Sequence, residues 1–119
     1  MRLDRILLYV RDIDRTASFY VSHFGFSMHQ IPGDRITELV PPDGGARLML
    51  HKAGKAQKTG QSTVKLVFNV ETVEDFCTSA KAEGLSFGPV HQADGYEFAN
   101  AKDPDGNSIQ VTSRPFNKI

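Results

Sequence analysis

The sequence has a single cysteine, Cys77, in 119 residues. An intrachain disulfide is therefore excluded, and a cysteine-based zinc site has too few thiolates. A reducing setting fits this usage, and a cytoplasmic location is expected. An excess of either charge is also lacking, since 14 Lys+Arg balance 14 Asp+Glu. Proteins that grip nucleic acid carry a basic excess, so no such partner is expected. Apolar runs are short and none could span a bilayer, so no membrane partner is expected either. The opening Met1-Arg2-Leu3-Asp4-Arg5 carries charges and reads as the start of a strand, not as a signal peptide. No Gly-x-Ser-x-Gly elbow and no phosphate-cradling glycine loop occurs; Asp43-Gly44-Gly45-Ala46 reads as a hairpin turn. What is present, 39% hydrophobic and 24% charged residues, is the balance of one globular domain.

The strongest positive feature is an internal repeat. Arg5-Ile6-Leu7-Leu8-Tyr9-Val10 is matched sixty residues later by Lys65-Leu66-Val67-Phe68-Asn69-Val70. Ile13-Asp14 matches Val73-Glu74 at the same offset, and Gly25 matches Gly84 one residue closer. Pro42-Asp43-Gly44 matches Pro104-Asp105-Gly106 at an offset of 62, and Leu48-Met49-Leu50 matches Ile109-Gln110-Val111 at 61. Short loop insertions produce drifts of this size. A repeat with this period governs the whole fold before any local reading.

Each half reads as strand, helix and three strands. In the first, Leu3–Val10 is a strand and a helix follows from about Ile13 to Phe24, with Asp12 or Asp14 as N-cap. Ile13, Ala17, Tyr20, Val21 and Phe24 share one helical face, and Gly25 suits the left-handed C-terminal position. Strands are expected near Phe26–Ile31, Ile36–Val40 and Arg47–Lys52. The polar stretch 53–62 reads as a linker. The second half opens with the strand Thr63–Val70. Its helix starts at Thr72, with Asp75 completing a capping-box-like pair and Val73, Phe76, Cys77 and Ala80 as its apolar stripe. Gly84 closes it, and strands near Phe87–Gln92, Tyr96–Lys102 and Ser108–Ser113 follow. The halves thus run from about 1 to 52 and from about 63 to 119.

Three segments carry a family likeness: Val10-Arg11-Asp12-Ile13-Asp14-Arg15 running into Phe19-Tyr20, then Phe24-Gly25-Phe26, then Asp103-Pro104-Asp105-Gly106-Asn107. With them the chain resembles the vicinal oxygen chelate superfamily of glyoxalase I, extradiol dioxygenases and bleomycin-resistance proteins. The resemblance implies an α+β fold of two βαβββ modules forming a curved mixed sheet around a shared cavity, within a homodimer. In metal-dependent members, four positions ligate a divalent ion. By the matching motifs these fall on Arg5, Met49, Lys65 and Gln110. Two are cations and one is a soft thioether, so only Gln110 suits a hard divalent ion, and no metal or other cofactor is expected.

Strand alternation places Arg5, Leu7 and Tyr9 on one face, with Met49 and His51 beside them. By the repeat, Lys65, Val67, Asn69 and Gln110 share the equivalent face, as does Thr112. These residues and Glu38 are the candidate ligand pocket. Arg5 and Lys65 need compensation, by neighbouring carboxylates such as Glu38 or by an anionic ligand. Strand-end charges reaching solvent, or pairing with Asp4, are the competing reading. His51 is the one candidate general base, against a surface histidine at a strand end. Phe19, Tyr20, Phe24 and Cys77 read as core; His23 reads as a helix C-terminal cation, and His29 and His91 as exposed. Three functions remain open: a metal-free small-molecule binder; a lyase, isomerase or dioxygenase using His51, or shifted metal ligands such as His51, Glu38 and Gln110; and a non-catalytic partner subunit.

Overall fold

The structure, a computed structural model, describes residues 1–116. Its last expected residues, 117–119, lie outside the described residues. The chain divides into two compact units, Met1–Gln61 and Ser62–Ile119, each built as a βαβββ module around its own four-stranded mixed sheet.

In the first unit, β1 (Arg5–Val10) leads into helix α1 (Ile13–Phe24), followed by β2 (Ser27–Gln30), β3 (Ile36–Val40) and β4 (Arg47–Lys52). The sheet order is β1-β4-β3-β2. β1 runs parallel to β4, with Leu7 opposite Met49 and Tyr9 opposite His51. β3 is antiparallel to both β4 and β2. Alternation along the strands buries Val10, Thr37, Leu39, Leu48 and Leu50 on one face. The sequence-based helix limits agree with the structure. Asp12 is the N-cap; its carboxylate accepts from the Arg15 amide at 3.1 Å. Gly25 ends the helix at φ 73, a left-handed conformation that only glycine adopts without steric cost. The helix face differs from expectation in one place. Thr16 is fully buried, while Val21 is 37% exposed. Thr16 lies one turn before Tyr20 on the buried stripe, and Val21 falls just past its edge.

The second unit repeats the plan with β5 (Lys65–Asn69), α2 (Val73–Ala82), β6 (His91–Gln92), β7 (Glu97–Lys102) and β8 (Ser108–Thr112). Its order is β5-β8-β7-β6, and β5 is parallel to β8. Leu66, Ala99, Ile109 and Val111 form its buried face, together with Val73 and Ala80 of α2. The turn between β7 and β8 is held by Asp103. Its carboxylate accepts from the backbone amides of Asp105 and Asn107 at 2.9 Å each and from the Asn107 side chain at 3.0 Å.

Four expectations are corrected. The first strand starts at Arg5, not Leu3, which is 80% exposed. The strand expected from Phe87 shrinks to His91–Gln92, because Pro89 has no N–H to give to the ladder; one link to β7 survives upstream, from the Gly88 amide to the Asn100 carbonyl at 2.8 Å. The capping pair at α2 does not form: Thr72 is the N-cap but makes no side-chain cap bond. Finally, the expected linker is ordered where it begins. Ala53 is buried, its amide bonds the Val10 carbonyl at 2.8 Å, and Arg11 reaches the Gly54 carbonyl at 2.9 Å.

The two caps make a matched test. Asp12→Ala should cost about 1 kcal/mol of stability, whereas Thr72→Ala should cost only a few tenths, because only Asp12 satisfies a helix amide. Urea unfolding of the two variants measures both, and equal losses would contradict the assigned capping.

Candidate functional site

Each unit has a second sheet face, opposite its helix, whose chemistry is set by strand register. In the first unit this open face carries Arg5, Leu7 and Tyr9 of β1, Arg47, Met49 and His51 of β4, and Ile36 and Glu38 of β3. Leu7 and Tyr9 remain 39% and 46% exposed. Six sequence-derived candidates, Arg5, Leu7, Tyr9, Glu38, Met49 and His51, are thus brought onto one surface.

Glu38 organises the charges there. Its Oε1 accepts from Arg5 Nε at 3.1 Å and from Arg47 Nη1 at 3.4 Å. Arg5 also pairs with Asp4. Arg5 is thus paired both with Glu38, the internal partner expected for a pocket cation, and with Asp4, the partner of the competing strand-end reading. Met49 lies in register between Leu7 and Glu38. One row along, the rings of Tyr9 and His51 meet at 5.4 Å. His51 Nδ1 is 2.8 Å from the Lys52 carbonyl oxygen. A carbonyl only accepts, so in the neutral ring Nδ1 carries the proton and Nε2 keeps its lone pair.

In the second unit the open face carries Lys65, Val67 and Asn69 of β5, Ser108, Gln110 and Thr112 of β8, and Phe98, Asn100 and Lys102 of β7. All four candidates from this half, Lys65, Val67, Asn69 and Gln110, lie on it. Asn100 Oδ1 accepts from Lys65 Nζ at 3.0 Å and from Gln110 Nε2 at 2.9 Å. Lys102 Nζ donates to Ser108 Oγ at 2.8 Å. At the far end of this face His91 stacks on Phe98 with ring centres 5.1 Å apart.

The sequence reasoning missed Arg47, Asn100, Ser108 and Lys102. Period-two spacing could have found Arg47, two residues before Met49. The repeat could have found Asn100, which follows Glu38 at the offset of 62 that relates Pro42 to Pro104. Of the residues set aside, His23 lies in the last turn of α1, and its ring meets Phe19 at 5.0 Å. His29 and His91 are exposed strand residues. Cys77 is half-buried, and burial pushes its thiol above the ordinary value.

Paired βαβββ modules, each with a buried helix-side face and an open polar-apolar face, define a class of two-module α+β proteins. The family model of the Glyoxalase/Bleomycin resistance protein/Dioxygenase superfamily matches residues 2–111, and the chain belongs to that superfamily. Among solved structures it is similar to TnmS3, an antibiotic binding protein from Streptomyces sp. CB03234, at 21% identity over 93% of each chain with a TM-score of 0.78. It is also similar to virulence protein STM3117 from Salmonella typhimurium, at 26% identity over 94% of this chain and 95% of that one, TM-score 0.73. An integron cassette protein from V. cholerae matches at 26% identity over 94% of each chain, TM-score 0.71. No curated protein matches the sequence.

Arg5, Met49, Lys65 and Gln110 stand where the resemblance implies the metal ligands of metal-dependent relatives. Arg5 is engaged by Glu38 and Asp4, and Lys65 by Asn100. Met49 offers only a soft sulfur, and Gln110 turns its amide N–H toward Asn100. Among the described residues, no three His, Cys, Asp or Glu are grouped so that they could hold a metal ion. This donor set does not fit a hard divalent cation.

Two outcomes follow from these environments. Glu38→Gln should cost up to about 1 kcal/mol, less at high ionic strength, since its partly exposed ion pairs are screened by salt; urea unfolding at low and high salt measures it. The raised Cys77 pKa makes the thiolate scarcer in the folded protein than in the unfolded chain at any given pH. Iodoacetamide should therefore label native Cys77 more slowly than urea-unfolded Cys77, and the native rate should rise around a higher pH midpoint.

Proposed function

We propose that this protein is a metal-independent, small-molecule-binding member of its superfamily that takes an organic ligand on its open sheet faces, with Arg5, Leu7, Tyr9, Glu38, Met49 and His51 as the binding residues of the first unit and Lys65, Val67, Asn69 and Gln110 as those of the second. The observation that carries the reading is the donor set at the four metal positions. Cations at two of them, tied to Glu38 and Asn100, repel a divalent ion and leave a face able to bind by hydrogen bonds and apolar contact. The mix of exposed Leu7, Tyr9 and Val67 with a few fixed polar groups has the composition of an organic-ligand surface. The name of TnmS3, an antibiotic binding protein of like fold, agrees with that ligand class. The reading includes a homodimer working in the reducing cytoplasm, with neither nucleic acid nor membrane as partner. No helix among the described residues is long and apolar enough to cross a membrane.

The mechanism of such binding is desolvation plus pairing. An organic ligand covers Leu7, Tyr9 and Met49 and removes their apolar surface from water, at about 25 cal/mol for each Å². The polar groups set its orientation, since a ligand group that left Glu38 or Asn100 unpaired under it would lose affinity.

A second reading, catalysis by a lyase, isomerase or dioxygenase, is favoured by one observation. The Nδ1 contact to the Lys52 carbonyl leaves His51 Nε2 free to take a proton on the open face. In that case His51→Ala would abolish turnover while the fold stayed intact.

The deciding experiment uses freshly purified protein. Elemental analysis should find no stoichiometric divalent metal. Binding of a panel of aromatic antibiotics, followed by NMR, should be unchanged after dialysis against a chelator. One metal ion per chain, with binding lost on chelation and restored by metal, would overturn the proposal. Native mass spectrometry of the same sample should give the dimer mass.

A further inference from the structure

The two open faces are built on one plan, and they differ where charge is concerned. In the first unit Arg5 and Arg47 lie opposite each other across β1 and β4. Both donate to the carboxylate of Glu38. In the second unit the pairing register puts Lys65 at the place of Arg5, Ser108 at that of Arg47 and Asn100 at that of Glu38. The repeat has thus exchanged a carboxylate for a neutral amide. It has also moved a cation: Ser108 replaces Arg47, and Lys102 stands opposite Ser108 where the first unit has Val40, so each face carries two cations.

Lys65, Ser108 and Lys102 therefore form one row across three strands, with an ammonium on either side of a hydroxyl. Adjacent strands lie about 4.8 Å apart, so the two lysine backbones are only ~10 Å from each other. The partners of the two ammoniums are neutral: Asn100 Oδ1 at 3.0 Å and Ser108 Oγ at 2.8 Å. Neither ammonium forms a salt bridge among the described residues. The acids nearest in sequence are otherwise engaged. Glu97 falls on the opposite parity of β7 and accepts from Gln92. The Asp103 carboxylate is held by amides of its own turn.

The free hydrogen-bonding capacity of this row is almost entirely donating. Each ammonium has two N–H groups to spare, and Ser108, which accepts from Lys102, has its own proton to give. Asn100 must aim its oxygen at Lys65 and Gln110, both donors, so its NH₂ is left over. Along the same face, Val67 is 55% exposed beside this row, and the Phe98–His91 stack lies beyond it.

Resting on the small-molecule reading above, we propose that the second unit holds the anionic end of the ligand. A carboxylate, or a phosphate of like charge, is bound between Lys65 and Lys102 over Ser108 and Asn100, and the ligand's apolar or aromatic body lies over Val67 toward Phe98. The first unit, whose two arginines are matched by the carboxylates of Glu38 and Asp4, does not compete for that charge.

The test titrates the full chain with benzoate, with its uncharged methyl ester and with inorganic phosphate, following backbone amides by NMR. Benzoate should give saturable shifts centred on Val67, Asn100 and Ser108. Phosphate should shift Ser108 and Asn100 without Val67. The ester should bind at least about tenfold more weakly than benzoate, the scale of one charge-assisted hydrogen bond. Lys65→Gln and Lys102→Gln should each weaken benzoate by about fivefold or more. Lys81→Gln, in the last turn of α2, should leave it unchanged. The inference is overturned if the ester binds as well as the acid, if no saturable shift is seen, if shifts centre on Arg5 and Arg47, or if the double lysine variant binds benzoate normally. Should uncharged antibiotics still bind in that event, the metal-free binding function stands and only the anion site is lost.

Discussion

The parallel pairing of each unit's first strand with its last is the constraint on which the rest depends. Two parallel strands cannot be joined by a tight turn, so a crossover must intervene. Here the helix and two further strands supply it, which is the βαβββ order. The same pairing fixes what faces outward. Arg5 opposite Arg47 and Leu7 opposite Met49 put the charged and thioether side chains on one surface and Leu48 and Leu50 on the other. A slip of one residue in either strand would turn its core residues out into water and its charges in against the helix. Burial of Val10, Leu48 and Leu50 against α1, where Ala17 and Tyr20 are fully buried, makes that slip costly. The open face is a by-product of a register enforced from behind.

Much of this was legible because period-two and period-3.6 patterns are local, and because the repeat supplied a second reading of each element. The limits of α1, the left-handed Gly25 and the strands Ile36–Val40 and Arg47–Lys52 needed no long-range information. The weaker readings failed where one residue outweighed the pattern. Pro89 cut short the strand before His91, and Thr72 stood at the right place for a cap without making its bond. The open-face residues drawn from the first and last strands came together as alternation required. Arg47 and Asn100 were missed for a different reason. Their roles are to share Glu38 and to stand in for it, and such roles appear only when register sets three strands side by side.

Charge accounts for the difference between the halves. A guanidinium or ammonium on a partly covered sheet loses hydration and must find partners nearby. The first unit meets this with the Glu38 carboxylate, shared by two arginines, and with Asp4 on Arg5, which together match its cations. The second meets it with an amide, which satisfies hydrogen bonds without cancelling charge. Geometry is preserved between the units while electrostatics is not.

Fold and open-face chemistry are carried by different residues. Those that hold each sheet against its helix lie on one face, and Arg5, Met49, Lys65 and Gln110 lie on the other. Arg5, Met49, Lys65 and Gln110 take no part in the buried helix-side faces, and structures only 21–26% identical still superpose with TM-scores of 0.71–0.78. Arg5 and Lys65 carry an electrostatic cost on the open faces, because a cation on a partly covered sheet loses hydration. Glu38 and Asp4 together offset that cost in one unit. Asn100 offsets only its hydrogen-bonding part in the other, and the charge left over there is what an anionic ligand would neutralise.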